Sequence, residues 1–142
     1  IPDHVAVLLV QLANAIHIID MAQLRPMENC AVIGCGHLGL LLIKALRACG
    51  AGRIVGVELH TFRQKAARAH GADAAVEPVS AANLVRTWPR GGVDVAIDVS
   101  NAAEACRLSV ELTRVGGRAL MASSPRDNRV LFNAYEARMK QI

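Results

Sequence analysis

Residues 31–40 read AVIGCGHLGL. The apolar run Cys30–Ile33 in front of the glycines predicts a short strand. Residues 38–49, apolar except at Gly39, Lys44 and Arg47, predict the helix behind them, with Gly50 as its stop. Between the two elements, Gly34, Gly36 and Gly39 satisfy G-x-G-x-x-G. That spacing gains its meaning from the strand–turn–helix context. Gly34 allows the tight turn, Gly36 leaves the backbone open to a diphosphate, and Gly39 lets the helix pack closely on the strand. The free N–H groups and positive pole of the helix N-terminus then face the phosphates, with His37 and Leu38 lining the same turn. The alternative is an ordinary glycine-rich turn of an α/β fold.

Working outward, strands are expected at residues 53–57, 74–76, 93–99 and 118–122. Helices alternate with them over 61–70, 80–88 and 101–114. Thr61 and Ser80 are candidate caps, and Asn101 with Glu104 resembles a capping box. Residues 3–23 predict a leading helix capped by Asp3 and closed at Leu24-Arg25-Pro26. Its apolar face would comprise Val5, Leu8, Leu9, Leu12, Ile16 and Ile19. From Val130 the tail reads as a strand start, then a short helix over 134–138. Near-continuous apolar strands alternating with helices predict an α/β fold: a doubly wound, Rossmann-like parallel sheet of about six strands, helices on both faces. Residues 1–25 would form a leading segment packed on a dinucleotide-binding domain spanning 26–142. Ile1-Pro2-Asp3 lacks an initiator Met and reads as a cut inside a longer chain, so truncation at both ends is expected.

Composition narrows the function classes. Of 142 residues 53% are apolar, which argues against disorder, and 3% are aromatic, so Ala, Val, Leu and Ile must fill the core. The net charge of +4 comes from arginines spread along the chain. No basic stripe with stacking aromatics suggests nucleic-acid binding. No apolar run approaches the ~20 residues of a spanning helix, so a membrane protein is disfavoured. Cys30, Cys35, Cys49 and Cys106 form no C-x-x-C pair, and each lies in an apolar run. They read as reduced, buried thiols in a cytoplasmic setting, with no zinc in this segment.

Glu58 stands nineteen residues past Gly39, at the carboxyl end of the second strand. A carboxylate there can accept hydrogen bonds from both hydroxyls of the adenosine ribose. It would repel a 2′-phosphate, which argues for NAD, with NADP less favoured. Arg63 can either bond the ribose beside Glu58 or help tolerate a 2′-phosphate; an exposed helix residue is the plain alternative. A solvated strand-end acid is the corresponding alternative for Glu58. His60 sits beside the adenosine end.

The order helix, LRPMENCAVIGCGHLGLLLIKALRACGAGRIVGVELHTFRQKAARAHGAD, then GGVDVAIDVS, then GGRALMASSP is similar to the cofactor domain of the medium-chain (zinc-type) alcohol dehydrogenase family. The resemblance covers nearly the whole chain. It implies NAD(H) binding and hydride transfer between an alcohol and a carbonyl compound, with a small-molecule substrate met by the full-length protein. It also implies that Val99 and Ser100, then Ala122, Ser123 and Ser124, border the nicotinamide ribose and ring. Family members pair through the sheet edge near the last strand, so a homodimer is expected, with residues 139–142 supplying part of that edge. Three departures stand out. The family's glycine near Met27 is absent, Asn101 replaces a common glycine, and the third zinc-ligand position falls near Leu9, which cannot bind zinc. No residue suggests a proton shuttle, so this segment alone is expected to be inactive. Two other functions fit less fully: a non-catalytic nucleotide-binding module, and an NADPH-dependent enoyl- or quinone-type reductase domain, which Glu58 counts against.

Overall fold

The computed structural model describes residues 2–125 and 128–142; Ile1, the expected start of the leading segment, lies outside them. The elements run in chain order α1 (Asp3–Ala6), α2 (Leu9–Ala22), β1 (Cys30–Ile33), α3 (His37–Ala48), β2 (Ile54–Val57), α4 (Thr61–Ala69), β3 (Ala74–Val76), α5 (Pro78–Arg86), β4 (Val93–Asp98), α6 (Ala105–Leu112), β5 (Thr113–Met121) and α7 (Ala134–Lys140). A short 3-10 turn, Pro89–Gly91, precedes β4.

The sheet order is β3-β2-β1-β4-β5, all neighbours parallel. Every residue of β1, β2 and β4 is buried. Their side chains alternate between two cores, because successive strand residues face opposite sides. Cys30 and Val32 of β1 join Ala15, Ile18, Ile19, Leu42, Ile43, Leu46 and Ala67 under α2, α3 and α4. Ala31 and Ile33 join Ala81, Val85, Leu108 and Leu112 under α5 and α6. Helices therefore cover both faces, as a parallel sheet requires. The chain steps from β1 outward to β3, then returns across β1 to β4. The strand order thus reverses at the carboxyl ends of β1 and β4, where open α/β sheets bind ligands.

Several expectations need correction. Among the described residues the sheet has five strands, not about six. After β5, the described residues Val130, Leu131 and Phe132 are exposed and form no strand, and the Leu131 N–H donates to the Ala103 carbonyl instead of a sheet edge. Met139 and Lys140 belong to α7, so they supply no strand edge; the Lys140 ammonium donates to the Val110 and Glu111 carbonyls at the end of α6. The leading helix is two helices. Its buried side is Ala15, Ile18, Ile19 and Ala22, and of the expected face only Ile19 is buried. Asp3, Thr61, Ser80 and Asn101 do not cap: the flanking residues are Pro2, His60, Glu77 and Glu104, none bonding through its side chain. Pro78 at the first turn of α5 takes over that boundary, where its missing N–H costs nothing. Asn133 does cap α7, accepting from the Glu136 N–H.

Candidate functional site

β1 feeds the glycine turn at the centre of the sheet's carboxyl edge. Gly34 has φ +93°, a conformation side chains with a Cβ rarely adopt, and a Cβ there would lie 2.9 Å from Ser100 Cβ. At Gly39 a Cβ would lie 2.0 Å from the Gly34 carbonyl oxygen. At Gly36, which flanks the start of α3, nothing lies within 4 Å of the Cβ position. The protein's own packing therefore requires Gly34 and Gly39. Gly36 is bare toward open space. The first N–H groups of α3 have no carbonyl partner within the helix, and His37, Leu38 and Gly39, which carry them, line the same space.

That space is a crevice of about 870 Å³. Gly34, Gly36, His37, Leu38, Gly39, Glu58, Arg63, Val99, Ser100 and Ser123 all line it. Ala122 lies instead in an adjoining hollow of about 290 Å³, with Leu38 and the α2 residues Asn14, His17 and Ile18. Ser124 is exposed and lines neither.

Glu58 follows β2 directly and is 7% exposed. Its Oε2 accepts the Cys35 N–H at 3.1 Å, and its Oε1 accepts the His60 N–H at 3.1 Å. The Gln64 amide donates to the Glu58 carbonyl at 2.8 Å. Two backbone donors thus fix the carboxylate, yet each oxygen retains a further lone pair for a ligand hydroxyl. Arg63 stands 3.7 Å from Oε2, half in solvent, with its guanidinium 5.5 Å over the exposed Phe62 ring.

Sequence reasoning missed Asp98, the last residue of β4, which is 2% exposed. Its Oδ1 accepts both the Ser100 N–H and the Ser100 hydroxyl at 2.8 Å, and the Ser123 side chain also bonds it. Burial pushes its carboxyl above the usual range, against those hydrogen bonds. An acid closing a buried apolar strand was the available signal. Gln64 and Gln11, the latter reaching the crevice from α2, gave none.

Cys30, Cys35 and Cys106 are buried free thiols, but Cys49 is exposed, contrary to expectation. Burial, then the neighbouring Glu58, pushes the Cys35 thiol up to about 12. Among the described residues no group of three or more His, Cys, Asp or Glu side chains could hold a metal ion. Leu9 is exposed on α2. No described helix is long and apolar enough to cross a membrane.

A doubly wound parallel sheet with a glycine-lined crevice at its switch point defines the class of Rossmann-like domains. Within that class the chain belongs to the zinc-binding dehydrogenase family, the medium-chain zinc-type alcohol dehydrogenases, whose family model matches residues 38–142. The matched domain is the cofactor-binding part of alcohol dehydrogenase-like oxidoreductases. The chain is 35% identical to (R,R)-butanediol dehydrogenase from Bacillus subtilis over 114 residues, which are 78% of this chain and 33% of that protein. The crystal structure of the Bacillus subtilis 2R,3R-butanediol dehydrogenase superposes with a TM-score of 0.86 at 30% identity, covering 94% of this chain and 39% of that one. A Sinorhizobium meliloti 1021 protein of the zinc-binding dehydrogenase type, solved bound to NADP, has a TM-score of 0.80 at 27% identity, covering 92% and 40%. The chain spans about a third of the length of the curated relatives it matches.

Proposed function

We propose that this chain is the NAD(H)-binding domain of an oxidoreductase that moves a hydride between an alcohol and a carbonyl compound. One observation carries the reading: a glycine turn bare at Gly36 and a buried acid, Glu58, face the same crevice. Gly34, Gly36, His37, Leu38 and Gly39 would hold the diphosphate. Glu58 would accept the adenosine ribose hydroxyls, with Arg63 beside it. Val99, Ser100, Ala122, Ser123 and Ser124 would border the other nucleoside. When bound, the nicotinamide supplies the carbon that gives or takes the hydride. The chain's own part is to bind, orient and shield that ring. Substrate contacts and any metal would come from outside residues 1–142, so the segment alone is inactive. Copies would pair through the outer edge of β5, the last strand and one of the two edges of the sheet; a monomer by light scattering at high concentration would contradict this.

The preference for NAD rests on Glu58. Its two backbone donors hold it in place, so a 2′-phosphate cannot push it aside without leaving both N–H groups unpaired. The NADP bound by the Sinorhizobium meliloti relative makes the comparison worth measuring. Isothermal titration should show NADH binding tighter than NADPH. Glu58→Ala should weaken NADH by about 10-fold or more, the cost of losing hydrogen bonds to a charged acceptor. Unchanged NADH affinity in a folded Glu58→Ala chain, or tighter NADPH binding by the unsubstituted one, would overturn the assignment.

A further inference from the structure

Asp98 is buried, bonds two residues that line the crevice, Ser100 and Ser123, and has no part in the proposed function. Among the described residues, hydroxyls and an amide, not cations, meet its carboxylate. Both donors of Ser100 reach Oδ1 at 2.8 Å, and the Ser123 side chain joins them. The single proton of the Ser123 hydroxyl is shared between Asp98 and the Ser100 carbonyl. Ser100 in turn packs so closely on the glycine turn that a Cβ at Gly34 would lie 2.9 Å from Ser100 Cβ. Asp98 therefore joins the tips of β4 and β5 to the turn after β1. In the sheet order, β1 lies between β2, which carries Glu58 at its tip, and the β4–β5 pair. A dinucleotide with its diphosphate on the β1 turn must lay one nucleoside over Glu58 and the other over β4 and β5.

We propose that Asp98 is a positioning residue for that second nucleoside: through Ser100 and Ser123 it fixes the wall over β4 and β5, and it acts on that half of the ligand alone. The inference rests on the cofactor-domain reading. The two separate experimentally because ADP-ribose carries the adenosine half and the diphosphate but lacks the nicotinamide.

The test is isothermal titration of the chain with NADH and with ADP-ribose, beside thermal unfolding. Asp98→Ala should weaken NADH about fivefold or more, the scale of one or two lost hydrogen bonds, while ADP-ribose stays within about twofold. Asp98→Asn keeps an acceptor for Ser100 and offers an amide to the Ser123 hydroxyl, so it should hold NADH within about twofold of the unsubstituted chain. If the alanine variant does not fold, Asp98→Ser, which keeps one small acceptor, carries the same comparison with the same expectation. A folded variant that loses both ligands by equal factors, or neither, overturns the proposal. So does an asparagine variant as impaired as alanine. Failure of the unsubstituted chain to bind either ligand would overturn the cofactor-domain reading, and this inference with it.

Discussion

The carboxylate of Glu58 accepts the backbone N–H of Cys35 at 3.1 Å, so the end of β2 is tied to the turn that leaves β1. Cys35 is the residue between the first two glycines, and its N–H has no helical or sheet partner to replace that acceptor. The acid and the turn are one unit: moving Glu58 would free an amide at the turn itself. The Gln64 side chain anchors the same acid through its carbonyl. The arrangement gives Glu58 a structural duty alongside the proposed ribose duty, and a Glu58 variant should be read against its unfolding midpoint.

Met27 marks a place where the chain carries backbone strain. Its φ is +66° and its side chain is 78% exposed, while its N–H holds the Gly50 carbonyl at 2.8 Å. A left-handed conformation costs an L-residue roughly 1–2 kcal/mol, and a glycine would relieve it at the expense of some unfolded-state entropy. Met27→Gly should therefore stabilise by about 0.5–1 kcal/mol, raising the melting temperature by a few degrees. Calorimetry checks this, and a lower midpoint would contradict it.

Acid should expose the buried carboxylate at the opposite edge of the sheet. Asp94 is 2% exposed. Burial pushes its carboxyl up, but the Asn29 N–H at 2.8 Å, Arg114 at 2.6 Å and Arg90 at 2.9 Å outweigh burial and hold it below the usual range. A lowered folded-state value means that Asp94 stabilises above the ordinary carboxylate range, and that this stability is lost as pH falls through the lowered value. Asp94→Asn should be less stable than the unsubstituted chain by about 1–3 kcal/mol at pH 7. The gap should narrow below about pH 4, where the unfolded carboxyl begins to protonate. Asp98, whose value is raised, has the opposite sign: its contribution is complete at low pH and is lost as pH rises through that value. Urea titrations of both chains across pH read the Asp94 gap directly, and a gap independent of pH would contradict the account.

Thiol chemistry should single out one cysteine. Cys49 is exposed, whereas Cys30, Cys35 and Cys106 are buried, and burial pushes the Cys30 and Cys35 thiols up to about 12. The thiolate is the reactive form, so these two are both shielded and protonated. A maleimide should label Cys49 quickly in the folded chain and the other three only on unfolding, as mass spectrometry would show. Rapid labelling of a Cys49→Ser chain would refute the burial.

The sheet was legible because its central strands are buried on both faces. Runs such as AVI and VDVAID leave little choice of register, and the glycine spacing fixes where the first strand ends. The α2 face was not legible. That helix is apolar nearly all round, so several stripes compete; the one that wins, Ala15, Ile18, Ile19 and Ala22, has two alanines that let it approach α3 closely. At α5 the expected Ser80 cap gives way to Pro78, which sets the helix start two residues earlier. A sixth strand was expected where an apolar segment, Val130–Phe132, meets no partner strand among the described residues, and propensity without a partner does not make a strand. At the site, Gly36 and Glu58 could be found by spacing. Asp98 could be marked only as an acid closing an apolar strand; its partnership with Ser100 and Ser123 depends on the fold that brings them together.

The most direct measurement is titration of NADH into the Gly36→Ala chain beside the unsubstituted one, with thermal unfolding of each. The open space around Gly36 predicts an unfolding midpoint within a few degrees of the parent. Loss of amide access predicts NADH weakened about 10-fold or more. An alanine variant that unfolds normally and binds NADH as tightly as its parent would contradict the claim that this turn receives the diphosphate.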